Sequence, residues 1–310
     1  MSLTLKDNIN LNAKRVFSRI GLATAITIII VNVLQILMYR ILGTVVPNIL
    51  SKNWFPYIAI AISYYLVGFP VFSLLVKSLP DGTKKECKKL STLSIIKLIL
   101  ITYFLMYIIN ILTTLILTFI GSIAGLNTTN PLDSVILPNS WIWNLLFVGI
   151  LSPIVEELMF RGVMLNKLRC YGDKIAIITT SLLFGLFHGN FHQFFYAAAI
   201  GALFAYVTLK TGNIIYSIIL HVSINILGGV LPAILLLHDT NIIAVSLFGL
   251  AILIMTIIGF VLFVKNIKKI TLSPGSISLE KGSIFKTTCL NVGMILIFCV
   301  CTFFMIYMLI

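Results

Sequence analysis

Acidic side chains are scarce in this sequence. Nine Asp and Glu stand among 310 residues, and charged residues of both signs reach only 10%. A soluble domain of ordinary composition carries about 25%, so that class is excluded. Low-complexity tracts, internal repeats and long hydrophilic stretches are also lacking, which leaves no room for a separate soluble domain. The apolar run from Ile20 to Met38 is too long for a signal-peptide core and has no small-residue cleavage pattern after it, so it is expected to stay as a first span. Cysteine is sparse: Cys87 and Cys170 lie in basic loops, and Cys289, Cys299 and Cys301 in the last apolar run. No disulfide is expected. Cys299 and Cys301 point to different sides of a helix, which argues against a metal site there.

What fills the sequence is apolar: 59% of residues are hydrophobic and the mean hydropathy is +1.10. The expected fold is therefore all-α, a polytopic transmembrane helical bundle of about eight to nine spans. The apolar runs are Ile20 to Gly43, Tyr57 to Val76, Ile95 to Ala124, Trp141 to Met164, Ile175 to His188, Phe191 to Leu209, Ile214 to Leu231, Ile242 to Val264 and Cys289 to Ile310. A short basic arm, residues 1–19, precedes them. The fifth and sixth runs, joined by Gly189 and Asn190, read as a tight helical hairpin. The net charge of +13 would suggest nucleic acid in another chain, but here the basic residues sit at the ends of apolar runs. No nucleic acid is expected as a partner; anionic lipid is. With the amino terminus in the cytoplasm, all of the 22 Lys and Arg except Arg40 and Lys52 fall on the cytoplasmic side or just inside span ends. A bias of that size sets the orientation.

Seven of the nine acids, Asp7, Asp81, Glu86, Asp133, Asp173, Asp239 and Glu280, fall in loops or the amino-terminal arm. The other two, Glu156 and Glu157, lie inside the fourth apolar run with Arg161. Ionised groups at that depth cost at least a few kcal/mol each and persist where they face a protein interior or a water-filled cavity. Glu157 and Arg161 are one helical turn apart and can pair, whereas Glu156 is rotated by about 100° and left free. Pro153 removes the helix hydrogen bond to the Gly149 carbonyl and is expected to kink the span. The competing reading is a structural ion-pair cluster that ties helices together.

Histidine supplies a second signal. His188 follows Phe184 by one turn, and Gly185 between them lets a neighbouring helix approach closely. His221 and Asn225 share another helix face and can aim two donors at a single oxyanion. An isolated buried histidine is commonly a satisfied interhelical hydrogen bond; two such faces plus a free glutamate on three different spans argue for one polar pocket. His192 reads as a loop residue, and His238 lies in an outer loop.

Taken together, Glu156-Glu157-x-x-x-Arg161, Phe184-x-x-x-His188 and His221-x-x-x-Asn225 resemble, in order and spacing, the motifs of the CAAX-protease and bacteriocin-processing family of intramembrane proteases, also called CPBP or Abi. The resemblance covers about Trp141 to Leu231. It implies a catalytic core over residues 141–231, flanked by the amino-terminal arm and three helices in 1–140 and by carboxy-terminal helices in 232–310. The implied activity is that of an endopeptidase in a bacterial cell membrane, with its site open to the cytoplasmic side. Its substrate would be a membrane-associated protein or peptide, prenylated or carrying a leader segment. Carried over residue by residue, Glu156 would activate a water that His188 helps to hold. Glu157 and Arg161 would organise the site, and His221 with Asn225 would stabilise the oxyanion.

The family is described both as zinc-dependent and as metal-free, and the sequence leaves both open. A catalytic zinc takes three protein ligands and a water, and Glu156, His188 and His221 could supply them. Equally, a carboxylate held out of bulk water suits a base acting directly on water. Two further classes share these residues: a non-proteolytic bacteriocin-immunity or membrane scaffold protein, and an ion-coupled transporter. The second of these predicts paired interrupted helices in two halves, whereas here the polar positions form one contiguous block.

Overall fold

The computed structural model describes residues 3–82, 86–131, 140–232, 235 and 242–310. Asp133, His238 and Asp239, read above as loop residues, fall outside them. Among the described residues the chain is all-α, with ten helices. These are α1 (Leu3–Val45), α2 (Phe55–Val76), α3 (Thr92–Ala124), α4 (Trp141–Tyr171), α5 (Asp173–Phe187), α6 (Phe191–Thr211), α7 (Ile215–Val230), α8 (Ile242–Ile267), α9 (Lys281–Thr288) and α10 (Val292–Tyr307).

Six of these helices are long and apolar enough to cross a membrane, and seven spans result if the bent pair α9 and α10 is one. The expected eight to nine spans counted α5 and α7 as well. At 15 residues, α5 rises only about 22 Å, short of a hydrocarbon core of about 30 Å; α7 is short for the same reason. The ninth run is also corrected. Cys289 does not begin a span but lies in a 55° bend. There Asn291 closes α9 by donating to Thr287 O (3.0 Å) and opens α10 by accepting from Met294 N (3.0 Å).

The basic arm is part of α1, which runs for 43 residues without a break. Its inner face is already core at Phe17 and Ile20, both fully buried, so packing carries the helix well past the apolar run. Glycines let α1 and α10 touch backbone to backbone: a Cβ on Gly293 would lie 1.6 Å from Ser18 O. Similarly α4 continues past Met164, because Leu165 and Leu168 pack into the core, and ends only at Gly172, whose φ of 99° breaks the helix.

The core lies where α1, α4, α5, α6, α7 and α10 meet, and α8 packs outside it against α3, with Gly259 seated on Leu100 O. The α5–α6 hairpin is tight as expected, since a Cβ on Gly185 would meet Phe194 O at 2.7 Å. The start of α5 is anchored by Asp173, whose Oδ2 accepts from Ser273 N (2.8 Å) and faces Lys210 (3.5 Å). Wide π-helical turns occur in α2 (Ala61–Gly68), α4 (Asn144–Leu151 and Leu158–Met164) and α7 (Ile226–Val230). Such turns disturb side-chain register and gather at functional sites.

Candidate active site

The site is built on the stretch of α4 between its two π-helical segments, Ser152–Glu157. Pro153 does not break the span. In the π register, Ser152 N bonds to Phe147 O, five residues back. By that register the bond Pro153 lacks belongs to Val148 O rather than to Gly149 O. Asn225 Nδ2, from α7, donates to Val148 O at 2.9 Å, so a side chain supplies what the proline removed.

Glu157 is fully buried. Its Oε1 accepts from Arg161 Nη1 at 2.8 Å and from His221 Nδ1 at 2.9 Å. Arg161, equally buried, donates through Nη2 to Gly201 O (3.0 Å) and lies over the Phe184 ring at 4.3 Å. This close approach needs a glycine at 201, where a Cβ would meet Phe184 Cδ1 at 2.9 Å and Arg161 Nη2 at 3.1 Å. The Glu157–Arg161 pair foreseen from spacing is thus present, and it links α4 to α6 and α7.

Glu156 does not point away from this cluster. The two neighbouring glutamates embrace one imidazole: Glu157 holds His221 Nδ1, and Glu156 Oε2 lies 3.8 Å from His221 Nε2. That Oε2 is buried and has no hydrogen-bond partner among the described residues, although the Glu156 side chain as a whole is 15% exposed. A carboxylate accepts, so His221 carries its proton on Nδ1 and turns Nε2 toward Glu156. His188 follows the same rule. Its Nδ1 donates to Phe184 O (2.8 Å), leaving Nε2 for other work. His188 stands edge-on to Phe184 at 5.1 Å, as His221 does at 5.6 Å, and it lies within the electrostatic reach of Glu156, His221 and Arg161. Asn190 fixes the end of α5: its Nδ2 donates to His188 O (2.9 Å), while its Oδ1 caps α6 at Gln193 N (2.9 Å). His192, read from sequence as a loop residue, is instead buried in the first turn of α6.

Glu156, Glu157, Arg161, His188 and His221 are therefore brought together. Asn225 joins them by latching the backbone one turn before Ser152, which commits one of its two amide protons. For zinc, the donors fit less well. Glu156 and His221 face each other, but among the described residues no three His, Cys, Asp or Glu side chains form a metal-binding group.

Sequence reasoning missed the contribution of α2. Tyr65 Oη lies 2.6 Å from Ser152 Oγ and 3.4 Å from Phe147 O, while Tyr64 reaches Met159 Sδ at 3.8 Å. The Tyr64-Tyr65 pair in an apolar run was the available signal.

Residues 138–227 match the family described as type II CAAX prenyl endopeptidase Rce1-like. The chain is 31% identical over 150 residues to CAAX prenyl protease 2 of Homo sapiens, covering 38% of this chain and 45% of that protein. It is 31% identical over 93 residues to an uncharacterized 24.3 kDa protein of Escherichia coli, covering 28% and 43%. It is 34% identical over 83 residues to the UPF0177 protein YxdF of Lactococcus lactis, covering 26% and 46%. The chain thus spans less than half the length of these curated relatives. No solved structure matches it. The matched segment holds every polar group placed around Glu156 from α4 to α7, and over that segment the chain is similar to the Rce1-like family of CAAX prenyl endopeptidases.

Proposed function

We propose that this protein is an intramembrane endopeptidase that hydrolyses a peptide bond of a membrane-associated protein or peptide. The observation that carries this reading is the buried Oε2 of Glu156, without a hydrogen-bond partner among the described residues, facing His221 Nε2 at 3.8 Å. Glu156 takes a proton from a water whose oxygen attacks the scissile carbonyl carbon. His188, with Nε2 free, helps to hold that water. The oxyanion accepts from His221, and Asn225 has one amide proton left to share in this. When the C–N bond breaks, the proton held by Glu156 passes to the departing amine.

Charge balance supports these roles. Glu156, Glu157 and Arg161 sum to one negative charge, and a single proton shared between Glu156 and His221 makes the cluster neutral, as a low-dielectric site favours. In the productive microstate that proton is on His221 Nε2, where it serves the oxyanion and leaves Glu156 ionised as the base. Glu157 behind the ring stabilises this imidazolium as a triad carboxylate does.

The relative named CAAX prenyl protease 2 supports a prenylated CAAX-type peptide as the substrate class. The distribution of Lys and Arg supports an orientation with the amino terminus in the cytoplasm and basic loops against anionic lipid. A second reading, a non-proteolytic scaffold or bacteriocin-immunity protein, draws on the Glu157–Arg161–Gly201 linkage, which would tie α4 to α6 in an inert protein too. Mass spectrometry of a farnesylated CAAX-type peptide after incubation with the purified protein in nanodiscs separates the two. Release of the residues after the cysteine supports the peptidase; an intact peptide supports the scaffold.

A further inference from the structure

Ser152 and Glu156 are one turn apart on the same face of α4, in the α-helical stretch between its two π-helical segments. Both side chains are only partly buried, unlike Glu157 and Arg161 behind them. Tyr65 of α2 approaches this face, with Oη 2.6 Å from Ser152 Oγ and 3.4 Å from Phe147 O. Either hydroxyl could donate across the 2.6 Å contact; because a phenol is the stronger acid and its approach to Phe147 O is long at 3.4 Å, we assign the donation to Tyr65, with Ser152 accepting.

That leaves the Ser152 hydroxyl proton to be accounted for. A helical serine commonly returns it to the carbonyl four residues back, which here is Val148 O. That carbonyl is taken by Asn225 Nδ2 at 2.9 Å, and no bond from Ser152 Oγ to the α4 backbone is made. The proton is therefore available on the open face, one turn from the carboxylate that carries the chemistry. Tyr64, Tyr65 and Tyr196 all lie within the electrostatic reach of Glu156, which places α2 at the wall of the same site.

The geometry points to Ser152 as a further hydrogen-bond donor to the carbonyl of the substrate peptide, with Tyr65 as its positioning residue from outside the family-matched segment. The inference rests on the peptidase reading. Asn225 holds the α4 backbone with one amide proton, and Ser152 provides a donor on the same side as Glu156. Tyr65 acts only through Ser152: its bond fixes the serine rotamer and polarises the hydroxyl.

The test uses full-length protein in nanodiscs and a farnesylated CAAX-type peptide. Tyr65→Phe keeps the ring and loses only the hydroxyl; Ser152→Ala loses the donor. Each is expected to lower kcat by about 100-fold with KM and melting temperature near those of the parent. The double variant is expected to be no slower than Ser152→Ala alone, and Ser152→Thr to recover most of the loss. Parent-like kcat in both single variants, with Glu156→Gln inactive, overturns the inference and leaves the peptidase reading standing. So do losses that multiply in the double variant and track a fall in melting temperature, because that pattern belongs to an interhelical tie. Cleavage by Glu156→Gln at the parent rate, or none by the parent, removes the peptidase reading and this inference with it.

Discussion

Glu157 Oε1 and His221 Nδ1, on helices α4 and α7, are 2.9 Å apart with both side chains buried. The same oxygen also receives Arg161 at 2.8 Å, so one carboxylate atom neutralises the guanidinium and fixes the imidazole. Glu157→Gln removes the charge while keeping the shape. It should leave Arg161 as an uncompensated buried cation and destabilise the protein by about 3–5 kcal/mol. Adding Arg161→Met should restore melting temperature but not cleavage, because His221 stays without its carboxylate. Recovery of both by the double variant would show that Glu157 serves stability alone.

Gly201 sets how closely α6 approaches the cluster. The methyl of Gly201→Ala would lie 2.9 Å from Phe184 Cδ1 and 3.1 Å from Arg161 Nη2, and both groups sit in a packed interior. Overpacking of this kind costs about 1–3 kcal/mol. Since Phe184 also borders both histidines, cleavage should fall by more than the stability change explains. Gly249→Ala, with open space around it, should match the parent in thermal melts and in cleavage.

Asn225 and Pro153 form a testable pair. If Asn225 satisfies the carbonyl that Pro153 orphans, Asn225→Ala should destabilise by about 1–3 kcal/mol. Pro153→Ala should then return much of that loss by restoring a backbone N–H. A double-mutant cycle on melting temperature measures this coupling; strict additivity would contradict it. Cleavage should stay depressed in the double variant if the second amide proton serves the oxyanion.

How far these relations were legible in the sequence follows from their range. The Glu157–Arg161 pair is an i,i+4 contact and needs only helix geometry. The small residue at Gly185 announces close packing in the same local way. The embrace of His221 by both glutamates depends on a helix 64 residues away, which no periodicity encodes; His221 and Asn225 could be placed on one face, but not against a named partner. Pro153 signalled a lost bond, yet the π register moved the orphan from Gly149 to Val148. Tyr65 escaped notice because an aromatic residue in an apolar span looks like core. The short α5 and the bend at residues 289–291 escaped because hydropathy measures composition rather than where a helix is broken or capped.

Metal dependence follows from the donor arrangement. With Glu156 and His221 facing each other and no three-ligand group among the described residues, purified protein should contain well under one zinc per chain. Cleavage should survive a chelator such as EDTA. Stoichiometric zinc, together with loss of cleavage on chelation and return on adding the metal, would contradict this.

The most direct test of the central claim is the kcat/KM of Glu156→Gln on the farnesylated peptide, read beside its thermal melt. The side chain keeps its size and sits on the partly open edge of the site, so folding should be preserved. The account predicts a fall of at least about 1,000-fold, in the range for a residue whose proton transfer drives the reaction, at an unchanged melting temperature. Activity within about tenfold of the parent would contradict the assignment of Glu156 as the base.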